Sequence, residues 1–502
     1  MSSKAHASNF DAKSPRKRIV FFHPDLGIGG AERLIIDAAV GLQDLGHKVT
    51  IFTSHCDPTH CFDEARDGTL DVRVRGNTLF PPTILNRFHI LLAILRQLHL
   101  VFSIAIFGNE LQALKPDVFL VDQLSACVPL LRWLFPRRQR TLFYCHFPDQ
   151  LLADRRSSGL VGLIKKSYRL PFDVFEGWSM SASDKLVVNS NFTKAIASEL
   201  WPSMESAFDV VYPGVNLENS PSTEKEVLWN NKFKILLSIN RFERKKDVGL
   251  AVRAYGALAP DKRKGTRLVI CGGYDQRVTE NVQYHKELVD LAERHGLISA
   301  TAKTVPTALA IPNEVQVLFL LSVPGPFKQV LLQNARLLLY TPQNEHFGIV
   351  PVEAMQQGVA VLASNTGGPL ETIVEGETGW LRDVSKVDQW TAVIERVLHE
   401  LSPQTLQEMA SNGRLRASDQ FSNKIMAINF DRAIEKMTAD KRSTFVESND
   451  IFVGVGLVLM FVAALVGLVI KSRKGKSDTR LTEFARARRM HPDADVNVKV
   501  II

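Results

Sequence analysis

The sequence is poor in disulfide chemistry. Five cysteines occur in 502 residues, Cys56, Cys61, Cys127, Cys145 and Cys271, an odd number with no CxxC pair. That excludes a disulfide framework and fits a reducing compartment. The basic N-terminus, polar through Arg18, is followed by no leader-like apolar core, so the main body is expected to begin in the cytosol. The sequon Asn191-Phe192-Thr193 would then go unused. Zinc-finger spacings and RNA-recognition strings are missing. The net charge of +8 therefore points to an anionic membrane surface or a phosphorylated substrate, with no nucleic acid expected. No Asp-x-Asp pair stands at a strand end, so no protein-bound metal is expected in a site. What remains is a globular balance, 45% hydrophobic and 23% charged, on a chain too long for one core. Two large domains follow as the expectation.

Strand and helix patterns alternate from residue 16 onward, after a polar stretch, 1–15, that reads as disordered. Arg18 to Phe22 reads as a strand, Ala31 to Leu45 as an amphipathic helix and Lys48 to Phe52 as the next strand, a βαβ start. The connecting loop carries Gly27-Ile28-Gly29-Gly30-Ala31-Glu32. It is no dinucleotide fingerprint, because the third small residue falls on Glu32, whose carboxylate would crowd the helix–strand packing. The Gly-Lys-Ser/Thr of a phosphate-binding Walker loop is also missing. Two readings stay open: a bare glycine turn, or amides at a helix N-terminus that suit an anion. Further strands are read at Pro116 to Val121, from Leu142, at Lys185 to Ser190 and at Val210 to Val215, which closes a first domain over 16–215. The strand from Leu142 ends in His146-Phe147-Pro148-Asp149. A lone histidine is usually structural, but His146 lies at a strand's carboxyl end beside a turn that Pro148 fixes. Arg155, Arg156, Lys165 and Lys166 are either a solvated face or a surface for an anionic head group.

A polar linker, 216–230, precedes a second domain over 231–440. It opens with the buried strand Phe233 to Asn240. Then comes Arg241-Phe242-Glu243-Arg244-Lys245-Lys246-Asp247, ahead of a helix to about Leu258. Cations between a strand's carboxyl end and a helix N-terminus can grip a diphosphate, Arg with a bidentate fork and Lys as a compact charge. Residues 296–316 read as an irregular, mobile surface insertion before the strand Val317 to Leu320. Leu337 to Tyr340 reads as a buried parallel strand, followed by Asn344-Glu345-His346-Phe347-Gly348 and a helix from Ile349 to Gln357. Glu345 therefore sits in a loop at a strand's carboxyl end, and Glu353 sits two turns into the helix. Both are either solvated carboxylates or groups facing a ligand at the edge where doubly wound folds bind one. The strand Val359 to Ala363 and a second permissive loop, Asn365-Thr366-Gly367-Gly368-Pro369, complete one cleft wall. Phe421 to Met437 reads as the last helix.

The string from Glu345 to Glu353 resembles the Glu-x7-Glu signature of retaining GT-B glycosyltransferases, with Gly358, Gly367 and Gly368 in register. The resemblance covers roughly residues 17 to 440 and implies an α/β fold of two doubly wound, Rossmann-like domains facing a cleft. The last helix would cross back onto the first domain. By the same resemblance, Glu345 contacts the donor sugar and Glu353 the nucleotide ribose. Arg241 and Lys246 would hold the donor diphosphate, with Lys245 as a competing register, and the amides of Gly29 and Gly30 would lie near it. His346, Phe347, Gly348, Gly367 and Gly368 would shape the donor loop. Within the family, Gly-Ile-Gly-Gly-Ala-Glu-Arg, His-Phe-Pro-Asp and Asn-Arg-Phe-Glu-Arg-Lys-Lys look like the eukaryotic α-1,3/1,6-mannosyltransferases of dolichol-linked oligosaccharide assembly. That implies GDP-mannose as donor, a dolichol-diphosphate-linked oligosaccharide as acceptor and transfer with retention. It implies no cofactor, and His146 near the donor sugar or the acceptor. It also implies the endoplasmic reticulum membrane with the catalytic domains facing the cytosol, and other transferases of the pathway as possible partners. A transferase moving N-acetylglucosamine to phosphatidylinositol, or a silent nucleotide-sugar binding protein, are the rival expectations.

Two apolar stretches concern the membrane. Residues 84–107 place Phe88, Leu91, Leu95, Leu98 and Phe102 on one helical face but are interrupted by Arg87, His89, Arg96 and His99. This is either a core-facing helix or one that lies on a membrane and admits a lipid. Ile451 to Ile470 is a charge-free run of 20 residues, long enough to span a bilayer. The basic tail, 471–502, would favour the cytosol. A cytosolic catalytic body before a single span would put the tail on the far side, so a span and an in-plane anchor both stay open.

Overall fold

The computed structural model describes residues 15–83, 89–136, 138–152, 159–217 and 227–440, with backbone alone over 159–168. The N-terminal stretch, the run 451–470, the tail and most of the segment 216–230 therefore lie outside the described residues. So do Arg155 and Arg156 and the side chains of Lys165 and Lys166.

Two seven-stranded, all-parallel sheets organise the described chain. The first contains β1 (Arg18–Leu26), β2 (Lys48–Cys56), β3 (Asp71–Val74), β4 (Val118–Asp122), β5 (Arg140–Cys145), β6 (Lys185–Val188) and β7 (Phe208–Val210), in the order β3-β2-β1-β4-β5-β6-β7. The second contains β8 (Lys234–Ile239), β9 (Thr266–Gly272), β10 (Ser299–Ala302), β11 (Val317–Leu321), β12 (Ala335–Tyr340), β13 (Ala360–Ser364) and β14 (Gly379–Arg382), in the order β10-β11-β9-β8-β12-β13-β14. The central strands are continuous apolar runs, Val118–Val121 and Leu337–Tyr340 among them, because helices cover both faces. The winding reverses between β1 and β4 and again between β8 and β12. Ligands bind at such switch points, beyond the carboxyl ends of the strands.

The helix Gly30–Asp44 buries Leu34, Ile35, Ile36, Ala38, Ala39 and Leu42 against the first sheet. The last helix, Asn423–Ala439, crosses back as expected: Met426, Phe430, Ile434 and Met437 share one core with Ile19, Phe21 and Leu120. Gly41 permits the close approach, since a Cβ there would stand 2.5 Å from that of Ala427. The crossing is pinned by Val215, whose N–H donates to the Phe421 carbonyl (2.7 Å) and whose carbonyl accepts from the Asn423 N–H (3.0 Å).

Two expectations are corrected and a third is settled. The last helix begins at Asn423, not Phe421, because Ser422 ends the preceding helix, Pro403–Phe421, and caps the new one at the Ile425 N–H. Residues 296–316 are not an irregular insertion. They contain the edge strand β10, paired in register with β11, and the helix Val305–Leu309 with a Thr304–Thr307 capping box. The helical face through Leu91, Leu95, Leu98 and Phe102 is core-facing: Leu95 is buried and Leu91, Leu98 and Phe102 pack against buried residues, while Phe88 lies outside the described residues. The helix His89–Phe102 and the π-turn Ser103–Phe107 bury Leu92, Ile94, Leu95, Leu100, Val101, Ile104 and Ala105. Arg96 and Gln97 are buried too, through an Arg96–Asp25 ion pair (2.6 Å) and a Gln97–Leu124 carbonyl hydrogen bond (2.6 Å). At the far end Phe107 is 82% exposed.

Candidate functional site

A cavity of about 910 Å³ opens between the two switch points. From the first sheet it is lined by Gly29, Gly30 and His146, and from the second by Arg241, Lys246, Glu345, His346, Phe347, Gly348 and Glu353. These candidates lie up to some three hundred residues apart in sequence, yet the fold brings them to one place. Lys246, not Lys245, faces it. Lys245 points to solvent and pairs with Glu243.

The donor-side wall is built from loops after β8 and β12. Glu345 follows β12, and its Oε2 lies 2.5 Å from Lys246 Nζ. The Thr341 hydroxyl donates to the Lys246 carbonyl (2.7 Å), which ties the two loops together. Burial opposes the charge on Glu345. The Lys246 ammonium and the Tyr340 hydroxyl overcome it and hold the carboxyl below its usual range. Gly348 adopts φ +82°, and any side chain there would press on the Tyr340 ring. Gly367 and Gly368 do not line the cavity. They brace the loop from behind: the Gly368 N–H donates to the Glu345 carbonyl (2.7 Å), and a Cβ on Gly367 would meet that oxygen at 2.6 Å.

Glu353 projects from the helix Ile349–Gln356. Its Oε1 lies 2.7 Å from Lys328 Nζ, while its buried Oε2 has no partner among the described residues. A buried, unpaired carboxylate oxygen beside a cavity suits a ligand hydroxyl. Arg241 reaches out with 61% of its side chain exposed and is held only by Glu243 (3.0 Å). Across the cavity, Gly29 precedes the helix Gly30–Asp44, and nothing lies within 4 Å of a Cβ placed on Gly30. Gly29, by contrast, lies against the Glu32 carboxylate, which an anion approaching these first amides would have to displace.

Among the described residues the walls touch around His346 and Phe347, where the Ser190 hydroxyl donates to the His346 carbonyl and Tyr212 lies beside Phe347, and around Glu371. The rings of Phe147 and His346 stack with centroids 3.7 Å apart. Glu371 accepts hydrogen bonds from the backbone N–H groups of Asn191 (2.8 Å) and Phe192 (2.7 Å) and from the Tyr212 hydroxyl (2.9 Å). The Asn191 amide is bonded to Glu371 and Tyr212 (2.7 Å), so the sequon is structurally engaged. Burial pushes the His346 imidazole down to about 4, keeping it neutral in the stack. Sequence reasoning missed Lys328 and Glu371, and also Asp122, which lies 3.0 Å from His146 at the end of β4. A polar residue closing the apolar run Val118–Val121 was the available signal for Asp122. Lys328 and Glu371 carry no local signal. Among the described residues no group of three or more His, Cys, Asp or Glu could hold a metal ion.

Comparison with known proteins gives the family and the fold. Residues 28–219 match the family Glycosyltransferase Family 4, and residues 219–416 match Glycosyl transferases group 1. The α-1,3/1,6-mannosyltransferase alg-2 of Neurospora crassa is 52% identical over 474 residues, covering 92% of this chain and 99% of that protein. The α-1,3/1,6-mannosyltransferase ALG2 of Saccharomyces cerevisiae is 44% identical, covering 84% and 85%. Among solved structures, the sucrose-phosphate synthase of Thermosynechococcus elongatus superposes with a TM-score of 0.63 at 18% identity, covering 84% of this chain and all of that one. Anabaena HepE in complex with UDP-glucose gives 0.58 at 17%, with the same coverage. At such identities these two show the shared two-sheet fold. With relatives this similar over nearly their whole length, the chain belongs to the α-1,3/1,6-mannosyltransferase family of GT-B glycosyltransferases.

Proposed function

We propose that the cavity transfers mannose from GDP-mannose to a diphosphodolichol-linked trisaccharide ending in one mannose. An α-1,3 linkage is made first and an α-1,6 linkage second. The observation that carries this reading is the convergence of Gly29, Gly30, Arg241, Lys246, Glu345 and Glu353 on one cavity. Arg241, Lys246 and the glycine-loop amides take the donor diphosphate and stabilise the charge that grows on it as it leaves. Glu345 binds hydroxyls of the sugar. Glu353, with one oxygen on Lys328 and the other free, binds the ribose. His146 stands beside the sugar. His346, Phe347 and Gly348 shape the donor loop, with Gly367 and Gly368 behind it.

Transfer proceeds with retention. The bond from the anomeric carbon to the diphosphate oxygen breaks, and a bond to the acceptor oxygen forms on the same face. The hydroxyl proton leaves with the diphosphate. No protein-bound metal has a part in this scheme. Water would otherwise hydrolyse the donor, and closure of the two walls over the bound sugar would exclude it.

We place this chemistry on the cytosolic face of the endoplasmic reticulum membrane. The charge-free run 451–470 and the exposed Ile106 and Phe107 support attachment to a bilayer. The test is transfer by the purified, detergent-solubilised protein, with GDP-mannose compared to UDP-N-acetylglucosamine on a synthetic lipid-diphosphate trisaccharide. Mass spectrometry should count one, then two added hexoses from GDP-mannose. Transfer from UDP-N-acetylglucosamine instead would reject the reading.

A further inference from the structure

Three strands of the first sheet deliver a carboxylate and two imidazoles to one point, and of these the scheme above uses His146 alone. Asp122, wholly buried, ends β4. Its Oδ1 and Oδ2 lie 2.9 and 3.0 Å from Nδ1 of His23 on β1, and its Oδ2 lies 3.0 Å from Nε2 of His146, just beyond β5. An ionised carboxylate only accepts hydrogen bonds, so each imidazole must offer an N–H there: His23 at Nδ1, His146 at Nε2. Burial opposes the charge on Asp122, but the two imidazoles more than offset it and keep the carboxyl ionised. Burial likewise opposes a charge on His23, and Asp122 offsets that. The reverse tautomer of His146 would set a nitrogen lone pair against a buried carboxylate oxygen, two acceptors face to face.

His146 is the member of this group that reaches the cavity, with 20% of its side chain exposed. The Asn189 amide donates to its carbonyl (2.8 Å), and the ring stands edge-on to Tyr144 at 4.9 Å, which fixes its plane. Its Nδ1 makes no hydrogen bond to any described residue.

We propose that Asp122 is a positioning residue: by holding the His146 N–H at Nε2, it leaves Nδ1 as a hydrogen-bond acceptor for a hydroxyl of the sugar in the cavity. The proposal rests on reading the cavity as a sugar-transfer site. Every sugar hydroxyl brings a proton that must be donated somewhere once water is excluded, and a fixed acceptor selects one orientation of the sugar.

The test uses the full-length protein, labelled with 15N-histidine, and the variants Asp122→Asn, His146→Ala and their combination. In the parent, His146 should show the Nε2–H tautomer, and the Nδ1 resonance should move when GDP-mannose and the acceptor are added. Asp122→Asn should lower kcat about 10- to 100-fold, the loss of one charge-assisted hydrogen bond, with the donor KM held within about three-fold. In the His146→Ala background the same substitution should cost less than about three-fold, because its effect runs through His146. Equal losses with and without His146, or an Nδ1–H tautomer in the parent, would overturn the proposal. Should Asp122→Asn fail to fold, the parent spectrum decides. A parent that transfers no mannose would sink the functional reading alone, since the tautomer is read without turnover.

Discussion

The two walls of the cleft are made from the same kind of part, a parallel strand, a loop and a helix, yet they treat their polar groups in opposite ways. On the first wall the buried Asp122 carboxylate is held by both His23 and His146, His23 Nε2 has no partner among the described residues, and of the three His146 reaches the cavity. On the second wall each charge is half-used. Lys246 and Glu345 share one contact, Glu353 spends one oxygen on Lys328 and keeps the other unpaired, and Arg241 stands largely in solvent. A buried carboxylate shared by two imidazoles holds their rings still. A set of half-satisfied charges is completed by a ligand. The difference assigns orientation to the first wall and gripping to the second.

The sharpest way to break this comparison is to remove a half-used charge. Lys246→Met should lower transfer about 100- to 1,000-fold, because the growing diphosphate charge loses a donor and Glu345 loses its cation. A loss below ten-fold would make the pair merely structural.

Acidification should come next in size, read as the melting temperature of the unliganded protein. The folded value for His346, about 4, lies below its ordinary 6.5. Between those values the unfolded chain binds the extra proton. The stabilisation is whole above pH 6.5 and is lost as the pH falls toward about 4. At most about 3 kcal/mol is at stake. His346→Phe, which keeps the ring against Phe147, should flatten this dependence.

Gly367→Ala places a methyl group against the Glu345 carbonyl at φ +72°. It should cost about 1–3 kcal/mol of stability and lower kcat with little change in the donor KM. Glu353→Gln should raise the KM for GDP-mannose about ten-fold and the inhibition constant for GDP alike, with kcat nearly unchanged. The smallest effect should come from the first wall's contact with Glu371. Glu371→Gln keeps the shape but removes the charge at the helix N-terminus Asn191–Leu200, and a loss of about two- to five-fold in kcat/KM is expected. An effect rivalling that of Lys246→Met would mean that wall contact, not charge, limits the reaction.

The second wall was legible in the sequence because its groups are local. Glu345, Glu353, Arg241 and Lys246 each follow an apolar run within a few residues, so the strand edge could be inferred and the side chains placed on it. On the first wall Gly29, Gly30 and His146 were legible but the group around Asp122 was not, since Asp122 meets His23 across 99 residues and His146 across 24, and the order β1-β4-β5 joins them. The strand β10 was overlooked because Ser299–Ala302 is a short edge strand of small residues and shows no apolar run. The helix His89–Phe102 was legible as a core-facing helix, but its buried side is wider than the apolar stripe, because it includes Arg96 and Gln97, polar residues that tertiary partners make burial-compatible.

The central claim is that the half-used charges of the second wall hold and activate a nucleotide-linked mannose. It is tested most directly with Glu345→Ala, measured for bound GDP-mannose by calorimetry and for added hexoses on the lipid-linked trisaccharide by mass spectrometry. The account predicts a folded variant that still binds the nucleotide through Arg241, Lys246 and Glu353 but adds no hexose in the time the parent adds two. A variant that adds one or two hexoses at the parent's rate would contradict it.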